Sequence, residues 1–206
     1  MIFKAASFYL YRLTSLLEQT GIQPGLGGLQ IIIPLGLSYY VLQNISYLVD
    51  VYRGQIPAST NRVDFSLYLA YFPKMVAGPI ERARTFLPIL ARPRRVDNQA
   101  LSRSLILILV GLVRKLLIGD LLFAHIPWEA FTGEPGVFSK IELIAWLTVY
   151  AFALYNDFAG YTLIVRGVSG FFGIELSPNF RAPYFSRNFT EFWNRWHITL
   201  SEWLRD

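Results

Sequence analysis

No cysteine occurs among the 206 residues. That excludes a disulfide framework, a thiol nucleophile and a thiolate metal site. Histidine is scarce too. His125 and His197 stand far apart, no His-Glu-x-x-His run links them, and no metal site follows. Charge is thin, at 16% of residues against about 25% in soluble domains. No glycine-rich dinucleotide or phosphate-loop pattern is present. The first twenty residues carry Lys4 and Arg12 within apolar sequence and lack a compact apolar core with a small-residue cleavage site. They do not read as a cleavable signal peptide. Internal repeats and low-complexity linkers are also missing.

What the sequence has is apolar residues, 53% of the total, with a mean hydropathy of +0.37. They lie in long uncharged blocks, and such blocks indicate membrane spans. Residues 2–17 predict a partial span or an interfacial helix, ended by the turn-rich 21–28. Residues 29–49 carry no charge and predict a full span, with Pro34 and Gly36 tolerated inside it. Residues 65–80 are apolar but short. Pro73, Gly78 and Pro79 break them and Lys74 sits in the middle, so they predict a re-entrant or cavity-lining segment. Two more spans are expected at 104–126 and 143–165, the first containing Arg114, Lys115 and Asp120, the second Asn156 and Asp157.

The loops set the orientation. Residues 81–103, broken by Pro88 and Pro93, are strongly basic, whereas 127–142 are acidic. The basic loop is expected in the cytoplasm and the acidic one outside. The same placement explains the net charge of +5 without nucleic acid, which is excluded as a partner. The Arg92–Arg95 cluster is read as topological, and His125 is assigned no role. In 184–206, Phe185, Phe189, Phe192, Trp193, Trp196, Leu200, Trp203 and Leu204 recur at helical spacing and predict an amphipathic helix in the membrane interface. The expected fold is all-α: a multi-pass transmembrane helical bundle, one membrane domain over 1–206, in a cell membrane. Two glycosylation-like triplets, at Asn44 and Asn188, fall in a span and on the cytoplasmic side, and are read as accidental.

Five blocks resemble a known family, the membrane-bound O-acyltransferases (MBOAT), in its alginate O-acetyltransferase-like branch. They are PLGLSYYVLQNISYLVDVYRG (34–54), YFPKMVAGPIER (71–82), GLVRKLLIGD (111–120), ALYNDFAGYT (153–162) and NFRAPYFSRNFTEFWNRWHITLSEWLRD (179–206). The last is the most specific, through its Trp-Asn-Arg-Trp-His run. The resemblance implies an O-acyltransferase, most naturally O-acetyl, that passes an acyl group across the membrane to a polymer hydroxyl. It implies an acyl-CoA or other acyl thioester as donor substrate, no bound cofactor, an extracytoplasmic acetyl-transfer partner protein and a polysaccharide acceptor. The family pattern has further spans on both sides of these blocks, including a second histidine taken as catalytic. The chain is therefore expected to be an internal piece of an MBOAT core that lacks the principal base.

Each candidate site residue carries two readings. His197 is an active-site histidine by resemblance, its imidazole able to accept a proton near neutral pH; the plain alternative is an interfacial histidine packed beside Trp196. Trp193 and Trp196 are tunnel candidates or interface anchors. Asn156 and Asp157 line the passage, or Asp157 forms a structural ion pair with Arg114 or Lys115. Lys74 and Arg82 flank the Gly78-Pro79 break, where a cation suits the phosphates of a donor; snorkelling and positive-inside topology are the favoured explanation. Two other functions stay open: a membrane transporter, since broken spans with internal charge are transporter features, and an inactive truncated product.

Overall fold

The structure is a computed structural model describing residues 36–133 and 137–206. The expected segment at 2–17, its turn at 21–28, the first part of the 29–49 block and residues 134–136 of the acidic loop lie outside the described residues. Among the described residues the fold is helical, with a single isolated bridge, Phe180 to Trp196, outside the helices.

Helix α1 (Leu37–Tyr52) covers most of the described part of the 29–49 block and ends at its C-cap, Arg53. Helix α2 (Arg62–Ala70) starts where the Asn61 side chain accepts from the Val63 and Asp64 amides, an N-cap that satisfies two otherwise free donors. The chain then breaks as expected. A single 3₁₀ turn (Phe72–Lys74) is followed by irregular chain through Gly78 and Pro79. Helix α3 (Ala83–Ala91) is a departure, since this part of the basic loop was expected to be non-helical. Pro88 sits inside it. The helix persists because Ala83, Phe86 and Leu90 recur on one face and bury themselves in the core with Tyr47, Tyr68 and Tyr71.

Two long elements dominate the remainder. Helix α4 (Asn98–Leu112), capped by Asp97, runs into a π-helical stretch (Val113–Asp120) and then α5 (Leu121–His125). The short α6 (Glu129–Thr132) lies in the expected acidic loop. Helix α7 (Lys140–Phe171) has 32 residues and opens on a capping box: Ser139 accepts from the Glu142 amide and Glu142 accepts from the Ser139 amide.

The α4–π rod packs along α7 at very short range. A Cβ on Gly160 would lie 2.6 Å from the Lys115 amide nitrogen, and one on Gly119 would lie 2.8 Å from the Asp157 backbone. Helices bearing larger residues at these points would be forced apart. Close approach through small residues is how helices associate where the surroundings are as apolar as the side chains. The outer face of the rod agrees: Leu105, Ile106, Leu109, Leu116, Leu117 and Leu121 are all exposed. An apolar stripe of that length is foreign to a water-facing monomer.

The expected spans are met in part: 143–165 lies within the single helix α7, 104–126 runs through α4, the π-helical stretch and α5, and of 29–49 only 36–49 falls within the described residues. No helix among the described residues is both long and apolar enough to cross a membrane. Helix α7 has the length, about 48 Å at 1.5 Å per residue, but Asn156, Asp157 and Arg166 dilute its inner half. The rod changes helix type where Arg114, Lys115 and Asp120 fall. The expected continuous amphipathic helix over 184–206 is corrected too. A 3₁₀ turn (Pro183–Phe185), α8 (Phe189–Trp193) and α9 (Ile198–Arg205) replace it. The physical reason is competition for the backbone. Arg181 N donates to Arg195 O at 3.0 Å and Ile198 N to Asn179 O at 2.9 Å, so 179–181 takes groups that a continuous helix would pair internally.

Candidate active site

The break in the last segment falls at His197, whose backbone is left-handed, with φ of 40° and ψ of 55°. For a residue with a Cβ this region is strained, by about 1–2 kcal/mol. Ala182, immediately before Pro183, has φ of 45°. Two strained residues thus bound the stretch 182–197, and the surrounding contacts hold them.

Those contacts are aromatic. Helix α7 supplies Tyr155 and Phe158, and the incoming chain supplies Phe180 and Tyr184. Trp196 packs on Tyr155, Phe180, Tyr184 and Phe192, with ring centroids 5.1–6.3 Å apart. The His197 ring meets Phe158 edge to face at 4.9 Å and stacks more distantly on Phe180 at 6.5 Å. Tyr184 pins the cluster by donating to the Ala151 carbonyl of α7 at 2.6 Å.

Inside this shell the His197 Nε2 atom is buried and has no hydrogen-bond partner among the described residues. An unsatisfied buried nitrogen costs about 1–3 kcal/mol, so a group held this way calls for an explanation. Burial also pushes the imidazole well below its usual pKa, to about 4. At neutral pH the ring is therefore uncharged, and one ring nitrogen keeps a lone pair that can accept a hydrogen bond.

Asn179 is the residue that sequence reasoning missed. It is almost fully buried; its Oδ1 accepts from Thr199 Oγ1 at 2.6 Å, its carbonyl accepts from the Ile198 amide, and its Nδ2 is left unpaired. Thr199 Oγ1 in turn accepts from the Ile80 amide at 3.0 Å. The chain Asn179–Thr199–Ile80 thus ties the His197 turn to the broken segment after Pro79. A lone asparagine before Phe180 carries no pattern, and only the fold reveals that it is buried.

The other candidates separate. Trp196 and His197 come together against α7. Asp157 instead forms an ion pair with Lys115, which also reaches Asp120 at 3.2 Å. Asn156 is buried and donates to the Phe152 carbonyl one turn back. Trp193 is more than half exposed and contacts Phe192. Lys74 does not line an open passage. It is completely buried, donating to Gln43 Oε1 at 2.7 Å, with Nζ 4.4 Å from the ring centroids of both Tyr68 and Phe86. Arg82 donates to Ser46 Oγ at 2.7 Å and pairs with Asp206 at 2.9 Å. The two cations flanking the Gly78-Pro79 break thus serve different partners and do not converge on one donor site.

Residues 55–206 match the profile of MBOAT, the membrane-bound O-acyltransferase family. The chain belongs to that family, and is accordingly a membrane protein. It is 38% identical to the probable alginate O-acetylase of Azotobacter vinelandii over 99% of its own length. It is 33% identical to the peptidoglycan O-acetyltransferase of Helicobacter pylori over 86% of its length, and 29% identical to the teichoic acid D-alanyltransferase of Streptococcus thermophilus over 90%. The chain spans about 40% of the length of the alginate-type relatives it matches, and 38% and 46% of the other two.

Proposed function

We propose that the whole protein transfers an acyl group, in the first instance acetyl, from a thioester donor to a hydroxyl of a cell-envelope or secreted polysaccharide, and that His197 belongs to its active site. The observation that carries this reading is the free, buried, uncharged Nε2 of His197, within the stretch that matches the acyltransferase family. Three of the relatives act, by their names, on alginate, peptidoglycan and teichoic acid. The exposed apolar stripe on the α4–π rod supports a multi-pass arrangement in which further chain or lipid covers that face.

In this reading the aromatic shell keeps water from the reacting thioester, and the imidazole takes a hydroxyl proton as the oxygen attacks the thioester carbonyl. The C–S bond then breaks and the thiol leaves with a proton. The base for this step is His197 or a second histidine elsewhere in the full-length protein, as the family resemblance implies. Asn179 and Thr199 hold the turn that presents the ring. Donor entry from the cytoplasm and hand-over to an extracytoplasmic partner complete the proposal.

The test is direct. Membrane vesicles carrying the full-length gene product are given a radiolabelled acetyl thioester and the polymer. Label moving to the polymer, and falling at least about 100-fold in His197→Ala, supports the reading. Label that does not move, in vesicles where the protein is present and folded, overturns it. Full transfer by His197→Ala removes that residue from the mechanism.

A further inference from the structure

A cavity of about 250 Å³ opens where the first turns of α4 meet the end of α7. No residue of the aromatic shell around His197 lines it. Three arginines do, from separate stretches of chain: Arg95 before α4, Arg103 on α4 and Arg166 on α7, with Glu175 also in the wall. None of the three arginines forms an ion pair among the described residues. Arg166 is half-buried, and its Nε donates to the Leu176 carbonyl at 2.9 Å. That bond fixes the guanidinium plane in the wall and leaves its two terminal nitrogens without an acceptor among the described residues. Gly170 lies directly against Ser104, so close that a Cβ would strike the hydroxyl, and the two helices meet at the base of the cavity.

Topology accounts for arginines in the 92–95 loop but not for this arrangement. A positive-inside bias needs charge near a membrane face and no particular geometry. Here an arginine from α7 is locked by a backbone carbonyl into the same small cavity as two others. Glu175 and Glu81 both act on Arg166, but no carboxylate pairs with Arg95 or Arg103 among the described residues, and an anion in their midst removes the remaining repulsion. Guanidinium forks match the oxygens of a phosphate two at a time. Three arginines against Glu175 in the wall and Glu81 near Arg166 still leave an excess of positive charge suited to the phosphate of an ester, and the volume leaves room for the group esterified to it. The start of α4 and the end of α7 also lie on the side that the basic loop marks as cytoplasmic.

We propose that the cavity formed by Arg95, Arg103 and Arg166 binds the phosphate group of a phosphate ester at the cytoplasmic membrane face. Two sources offer that chemistry, an anionic phospholipid headgroup and a soluble phosphate ester. The proposal goes beyond acyl transfer and does not rest on it, because its readout is binding without turnover.

The test uses the purified full-length protein in neutral detergent. Thermal unfolding is followed with added inorganic phosphate, with short-chain phosphatidylglycerol, and with short-chain phosphatidylcholine as the zwitterionic control. Variants are Arg103→Gln, Arg166→Gln and, on the same basic loop but outside the cavity, Arg92→Gln. The expected result is a saturable rise in Tm with phosphatidylglycerol or phosphate, weakened at least about ten-fold in apparent affinity by Arg103→Gln and unchanged by Arg92→Gln. A response to phosphatidylglycerol alone assigns the site to a lipid headgroup. A response that includes inorganic phosphate assigns it to a soluble ester. Arg103 is exposed and outside the core, so Arg103→Gln remains informative if Arg166→Gln fails to fold. No response to either anion overturns the proposal, as do equal responses in Arg103→Gln and Arg92→Gln.

Discussion

Asp157 and His197 are both polar groups set in apolar sequence, and both drew attention for that reason. They end in opposite conditions. Asp157 sits where the α4–π rod crosses α7, and Lys115 neutralises it. His197 sits where chain from 179–181 displaces a helix, and its Nε2 has no partner among the described residues. The first region is helical throughout, closely packed and electrostatically complete. The second is irregular, strained at two residues and incomplete. Charge in an apolar segment therefore does not mark a reactive group. What separates the two regions is whether the bonding capacity of the polar atom is already used.

The sharpest challenge to this contrast lies on the packed side. Gly160→Leu inserts a side chain where a single Cβ already meets the Lys115 backbone, and is expected to cost about 3 kcal/mol or more, the upper end for overpacking. Reversible unfolding in mixed micelles measures it, and a fully stable variant would mean that the rod and α7 are not locked here. On the incomplete side, His197→Ala is expected to lower transfer by about two to three orders of magnitude while leaving the amount of folded protein in the membrane nearly unchanged. Asp157→Asn should do the reverse, costing about 1–2 kcal/mol of stability, since the pair is only partly buried, with a much smaller loss of transfer. If Asp157→Asn abolished transfer in well-folded protein, the division drawn here would fail.

Smaller effects probe the strain and the burial. His197→Gly and His197→Ala both lose the ring, but only glycine relieves the left-handed backbone, so the glycine variant should be the more stable by about 1 kcal/mol. The pH dependence has a definite sign. The folded-state pKa of His197 is depressed to about 4, below the unfolded value of about 6.5. Between those values the unfolded chain binds a proton that the folded chain does not, so stability is lost as pH falls from about 6.5 towards 4. Unfolding at pH 7 and pH 4.5, in the parent and in His197→Ala, isolates that component; the variant should lose less on acidification.

The apolar blocks and the break at Pro73–Pro79 were legible in order along the chain, because proline and uncharged length are local properties; His197 became a candidate only through the resemblance of the motif around it. The alternative given for Asp157, a pairing with Arg114 or Lys115, was legible as well: an ionised group in apolar surroundings needs a counterion, and few were within reach. The helical character of 83–91, the π-helical stretch and the division of 184–206 into two helices were not. Each depends on a partner distant in sequence: Pro88 is tolerated because Phe86 has Tyr68 and Tyr71 to pack on, and the last segment breaks because Asn179 and Arg181 compete for its backbone. Lys74 looked like a cation lining a passage until Gln43, Tyr68 and Phe86 closed around it. Sequence alone determined which residues are expensive to place in an apolar setting; only the tertiary structure decided which of them are compensated, because a counterion, an aromatic face or a hydrogen-bond acceptor arrives through space and not along the chain.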